Sequence, residues 1–131
     1  MLTIASYVLA TVALLFIAAG LFFASDRWRH IPLMLEAFAA DMIGLVLVEV
    51  VIPLQTESTD PVSGLFETDG NWAWRVVHAS LATLAVVGYV IQIISGRKLA
   101  RGDRGVLGFH RRIARGFVVT RVLAYVTMFF V

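Results

Sequence analysis

The sequence predicts an all-α membrane protein: an antiparallel four-transmembrane-helix bundle with both termini outside the cytoplasm. Three observations carry this expectation. Of the 131 residues, 60% are hydrophobic and 15% charged, which lies outside the range of a soluble domain of this size. Four apolar stretches each approach the roughly 20 residues that a spanning helix needs. Basic residues gather in the first and third loops and acidic residues in the second.

The first span, residues 2–25, follows Met1 and is free of charge. A cleaved signal segment is not expected, because no basic residue precedes the apolar stretch and the stretch is long. The second span, 31–54, begins after Asp26-Arg27-Trp28-Arg29-His30, with Pro32 in what should be the first helical turn, where a missing N–H is tolerated. The third, 74–96, contains His78 between Arg75 and Arg97, and the fourth, 110–131, opens at His110. Together the four make one transmembrane domain, 1–131, with no sequence repeat and no heptad pattern. The longest loop, 55–71, has turn chemistry.

Loop charge sets the orientation. The first loop carries Arg27 and Arg29 and the third carries Arg97, Lys98, Arg101, Arg104, Arg111 and Arg112, eight bases against the single Arg75 at the end of the second loop. Positive-inside counting places the first and third loops in the cytoplasm. Trp28 then falls at the inner boundary and Trp72 and Trp74 at the outer one, where amphipathic rings act as anchors. The third loop lacks the ordered glycines and the GK[ST] ending of a phosphate-binding loop, so its bases are expected to meet anionic lipid, and nucleic-acid binding is not indicated.

The chemistry worth explaining is the polarity inside the spans. Counted from His30, Glu36 is 6 residues in and Asp41 is 11; counted from His110, Arg115 is 5 and Arg121 is 11. At about 1.5 Å and 100° per residue, the two acids and the two bases match in depth, and their turns of about +140° and −120° have the opposite signs that two parallel helices need to meet twice across one interface. The expected pairs are Glu36 with Arg115 and Asp41 with Arg121. Their simplest role is structural, because a carboxylate held by an arginine stays ionised and is a poor proton carrier.

Glu49 lies near the outer boundary, where Arg75 and His78 enter on the third span, so these three form a second candidate cluster. A salt-bridge clip is the simplest use of it; one histidine and one carboxylate fall short of a metal ligand set unless a partner adds more. Absence of cysteine excludes a disulfide, a thiolate metal site and a CxxCH haem attachment. His30 and His110 both flank arginines at helix starts, where solvated caps or headgroup contacts are expected. They are also the only two histidines at one depth, which makes haem b on that pair, or copper with His78, the alternative to a chain without a cofactor. No nucleophile, base and oxyanion donor can be grouped, so independent enzyme chemistry is not expected.

Residues 29–131 resemble a small family of four-helix bacterial and archaeal membrane proteins of unknown function, some of which take part in maturation of haem-copper cytochrome oxidase. The resemblance is carried by Arg29-His30, Leu33-Met34-Leu35 and Ala37-Phe38; by Arg75, His78 and Leu81-Ala82; and by Gly96-Arg97 with His110-Arg111-Arg112-Ile113-Ala114-Arg115. It implies a multi-pass protein of the bacterial or archaeal cytoplasmic membrane, without enzyme activity, serving as an accessory or assembly subunit of a larger respiratory or photosynthetic electron-transfer complex. The family tends to place a histidine just beyond the second span, where this chain has Pro53-Leu54-Gln55-Thr56.

The matched charges give a direct test. A lone ionisable group at a helix centre costs roughly 2.5 to 3.5 kcal/mol on insertion scales. Arg121→Leu should lower the yield of folded protein in size-exclusion chromatography, and adding Asp41→Leu should restore part of it. A double substitution as harmful as the sum of the singles overturns the pairing.

Overall fold

The computed structural model describes residues 2–48 and 72–130, with the side chains of Leu2 and Thr3 excepted. Among these residues there is helix and no strand. The described residues form four α-helices, α1 (Leu2–Phe22), α2 (Arg27–Val46), α3 (Trp72–Ala100) and α4 (Leu107–Thr127), with a 3₁₀ turn at Arg104–Val106. They form two compact units, Met1–Glu67 and Thr68–Val131, each containing one antiparallel hairpin.

The first hairpin turns within four residues. Backbone bonds from Ala24 N to Leu21 O and from Asp26 N to Phe23 O tighten the end of α1. Asp26, in extended conformation, then caps α2 by accepting a bond from Trp28 N at 3.0 Å. The cap starts α2 four residues earlier than the apolar pattern suggests. Pro32 is therefore inside the helix rather than in its first turn, and the bond it would have donated to the Trp28 carbonyl is absent. Beyond Val46 the helix widens into a π turn at Leu47 and Val48; the rest of the expected second span, with Glu49, and the loop 55–71 lie outside the described residues.

Small residues bring α1 and α2 together. Ser6, Ala13, Ile17 and Gly20 make one buried stripe on α1, facing Ala37 and Ala40 on α2. Gly20 lies against Met34, and Gly44 against the Cβ of Leu9. Such small residues allow the two backbones to approach closely.

The second hairpin is built on the same plan. Gly102, at φ +96°, ends α3 in a Schellman turn in which Asp103 N bonds Lys98 O and Gly102 N bonds Leu99 O. Asp103 then accepts from Gly105 N at 3.1 Å, as Asp26 does from Trp28 N. In the interface, Ala85, Gly88, Tyr89 and Ser95 of α3 meet Phe117, Ala124 and Thr127 of α4. Tyr89 packs edge-on to Phe117 with centroids 4.5 Å apart, and Trp74 stacks on Phe130 at 5.1 Å.

Two helices, α1 over Ile4–Phe22 and α3 over Trp72–Ala100, are long and apolar enough to cross a membrane. Only 22% of each is buried, whereas the core helix of a soluble protein is mostly buried. Leu15, Phe22, Leu84, Val87 and Ile94 all point outward. The other two described helices carry, besides one histidine each, four residues of the Asp, Glu, Lys and Arg class apiece, Arg27, Arg29, Glu36 and Asp41 on α2 and Arg111, Arg112, Arg115 and Arg121 on α4, and do not meet the same standard.

The two buried glycines should respond differently to a methyl group. A Cβ on Gly88 would meet the Phe117 ring at 2.8 Å, and that ring is only 4% exposed and already packed on Tyr89. A Cβ on Gly20 meets the flexible end of Met34 at 2.9 Å. Gly88→Ala should therefore lose about 1 to 3 kcal/mol in detergent unfolding, while Gly20→Ala stays within about 1 kcal/mol because helix propensity offsets a small shift of Met34.

Candidate functional site

The polar groups with chemistry to offer are the three histidines, and each is tied by Nδ1 to the neighbouring helix of its own hairpin. His30, at the start of α2, sits 2.7 Å from the Gly20 carbonyl oxygen. A carbonyl only accepts, so Nδ1 carries the proton and donates. Gly20 belongs to the last turn of α1, where Ala24 N bonds the Leu21 carbonyl in place of that of Gly20, and the imidazole therefore acts as a C-cap. The ring is half-buried.

His110 does the equivalent in the second hairpin. Its Nδ1 lies 2.7 Å from Ser95 Oγ, and the Ser95 hydroxyl donates to the Ile91 carbonyl at 2.7 Å. The hydroxyl proton is thus committed, and His110 Nδ1–H donates to it. Gln92 adds a bond from Nε2 to the His110 carbonyl at 3.2 Å. At the far end, His78 Nδ1 lies 3.0 Å from Thr127 Oγ1, whose hydroxyl donates to the Leu123 and Ala124 carbonyls, so Nδ1 of His78 is again the donor. In a neutral ring this tautomer makes Nε2 the basic nitrogen.

These contacts replace the solvated caps expected for His30 and His110. Each helix-start histidine turns inward because the preceding helix offers an acceptor, and bonding there is better than leaving that acceptor buried without a partner. Near His30, Asp26 pairs with Arg29 at 3.3 Å while capping the helix, and the Arg29 guanidinium also lies 4.9 Å from the centroid of the Phe23 ring. Such a surface pair contributes about 0 to 1 kcal/mol.

The charged residues are distributed unevenly. Arg121 is 6% exposed, on the stripe of α4 that also carries Phe117, Ala124 and Thr127. Asp41 is half-buried, whereas Glu36 and Arg115 are exposed. The acids belong to the first hairpin and the arginines to the second. Of the outer cluster, Arg75 and His78 are half-buried one turn apart on α3, and Glu49 lies outside the described residues. Among the described residues no three histidines, cysteines or carboxylates gather as a metal site.

Ser95, Thr127, Gln92 and Gly20 were not singled out as partners by the sequence. Ser95 and Thr127 carry a signal in retrospect, as small hydroxyl residues inside apolar runs, where they usually bond the carbonyl one turn back and retain acceptor capacity. A backbone carbonyl such as that of Gly20 carries none. Comparison with known proteins returns no matching family model, no matching curated protein and no matching solved structure.

Thr127→Val keeps the shape of the side chain and removes the acceptor for His78. It should cost about 0.5 to 1.5 kcal/mol in detergent unfolding, the net contribution of one part-buried hydrogen bond. Thr127→Ser should stay close to the parent, and a valine variant equal to it would show that the contact contributes nothing.

Proposed function

We propose that this chain is an integral membrane protein of four membrane-embedded helices, with both ends outside the cytoplasm, that acts as a non-enzymatic accessory or assembly subunit of a larger electron-transfer complex. The reading extends to a respiratory or photosynthetic complex of a bacterial or archaeal cytoplasmic membrane through the resemblance of residues 29–131 described above. The observation that carries it is the composition of the outward surface. Apolar side chains such as Leu35, Ile43, Val119 and Val126 face outward, and exposed Glu36 and Arg115 interrupt them. Lipid solvates the first group and rejects the second, so a protein surface is the better cover for α2 and α4.

A second reading, a small redox protein holding haem b or copper, is favoured by one observation. Nδ1 anchoring is the arrangement that outer-shell partners impose on ligating histidines, with Nε2 as the ligand nitrogen. Within the second hairpin the donors do not fit a shared metal: His78 and the Ser95 partner of His110 are 17 residues apart on α3, roughly 25 Å. A haem on His30 and His110 would take one ligand from each hairpin; the accessory role is preferred because exposed Glu36 and Arg115 call for a protein cover.

The two readings separate on purification in mild detergent. The accessory subunit should be colourless and migrate with an assembly several times its own mass in native electrophoresis. One equivalent of iron or copper per chain, or a Soret band on a free-standing protein, overturns it in favour of the redox reading.

A further inference from the structure

At the loop end of the second hairpin, Ile91, Ile94, Ser95 and Lys98 occupy one face of α3 at helical spacing, and with Val106 and Phe109 they line an open groove of about 160 Å³. Its walls are apolar, with Ile94 54% and Phe109 52% exposed. Lys98 lines the groove near the end of α3, with Arg97 and Arg101 exposed beside it and Arg104 exposed at the start of the following 3₁₀ turn. We propose that this groove seats one anionic phospholipid, its acyl chain along Ile91, Ile94 and Phe109 and its phosphate against Lys98.

Charge and depth choose this occupant. An apolar trough running along a candidate membrane span and ending at a lysine reproduces the order of groups in a phospholipid, from hydrocarbon to phosphate. A second helix could fill the trough with side chains, but Lys98 in its lining, with exposed Arg97, Arg101 and Arg104 nearby and the carboxylate of Asp103 already accepting from Gly105 N, favours an anionic headgroup. Zwitterionic lipid could fill the trough equally well and would gain nothing from the lysine. The inference rests on the membrane reading of α3 and is independent of the accessory role.

The test uses the full chain in detergent with equal amounts of phosphatidylglycerol and phosphatidylcholine, read by native mass spectrometry. Phosphatidylglycerol should be retained roughly fivefold better, the size expected for one lysine near an anionic headgroup. Lys98→Ala should remove that preference. Ile94→Trp, which fills the trough and keeps every charge, should lower retention of both lipids, and Phe109→Ala, which removes a wall without adding bulk, should do the same. Equal retention of the two lipids by the parent overturns the site. Loss on Lys98→Ala with no effect of either groove variant also overturns it, since the basic turn alone would then explain the preference. Flotation with pure phosphatidylcholine vesicles separates the two levels: a chain that floats without a lipid preference keeps the membrane reading and loses the groove, and a chain that does not float loses both.

Discussion

Both hairpins depend on one kind of interaction: the imidazole near the start of the second helix donates a hydrogen bond to a group on the helix before it. In the first, the ring of His30 donates to the carbonyl of Gly20. In the second, the ring of His110 donates to Ser95, which is itself bonded back onto α3. Each bond ties the start of one helix to the end of the one before it. The interhelical contacts beyond, Gly20 with Met34 and Gly88 with Phe117, follow from the register so set.

The hairpins share a plan that no sequence repeat announces. Each has an aspartate accepting from the N–H two residues on, a histidine turned back to the preceding helix, and an ionisable group 11 residues after that histidine. The last of these differs in sign, Asp41 in one and Arg121 in the other. Between the helices small side chains predominate around Ile17, Tyr89 and Phe117, and most of the large apolar ones face outward, whereas in a soluble bundle burial of the largest side chains supplies most of the stabilisation.

Much of the helical content was legible in the sequence because apolar runs of the right length have few other uses. The all-helical class follows from composition, α1 from the absence of charge between its ends, and α3 from the run between Arg75 and Arg97 that carries no Asp, Glu, Lys or Arg. Boundaries were less legible. Asp26 began α2 early because a cap acts through one hydrogen bond that hydropathy does not weigh, and α3 ran on past Gly96 to Ala100 because a glycine stops a helix only when the backbone turns left-handed, as it does at Gly102. The histidines could be found as unusual residues, but not their partners, since an acceptor such as the Gly20 carbonyl has no residue type of its own. The unequal exposure of Arg121 and Arg115 was equally hidden, because depth along a helix says nothing about which side of it faces the neighbour.

The histidine latches also bear on how the chain is made. His30 follows the carbonyl it locks by 10 residues and His110 follows Ser95 by 15. Each closure is therefore local in sequence, and ring closure over so short a loop costs little entropy and is fast. During synthesis a hairpin can be fastened once the first turns of its second helix have emerged, before the remainder of the chain exists. The interval in which an apolar helix stands alone, exposed to chaperones, proteases and other nascent chains, ends with the arrival of a single imidazole.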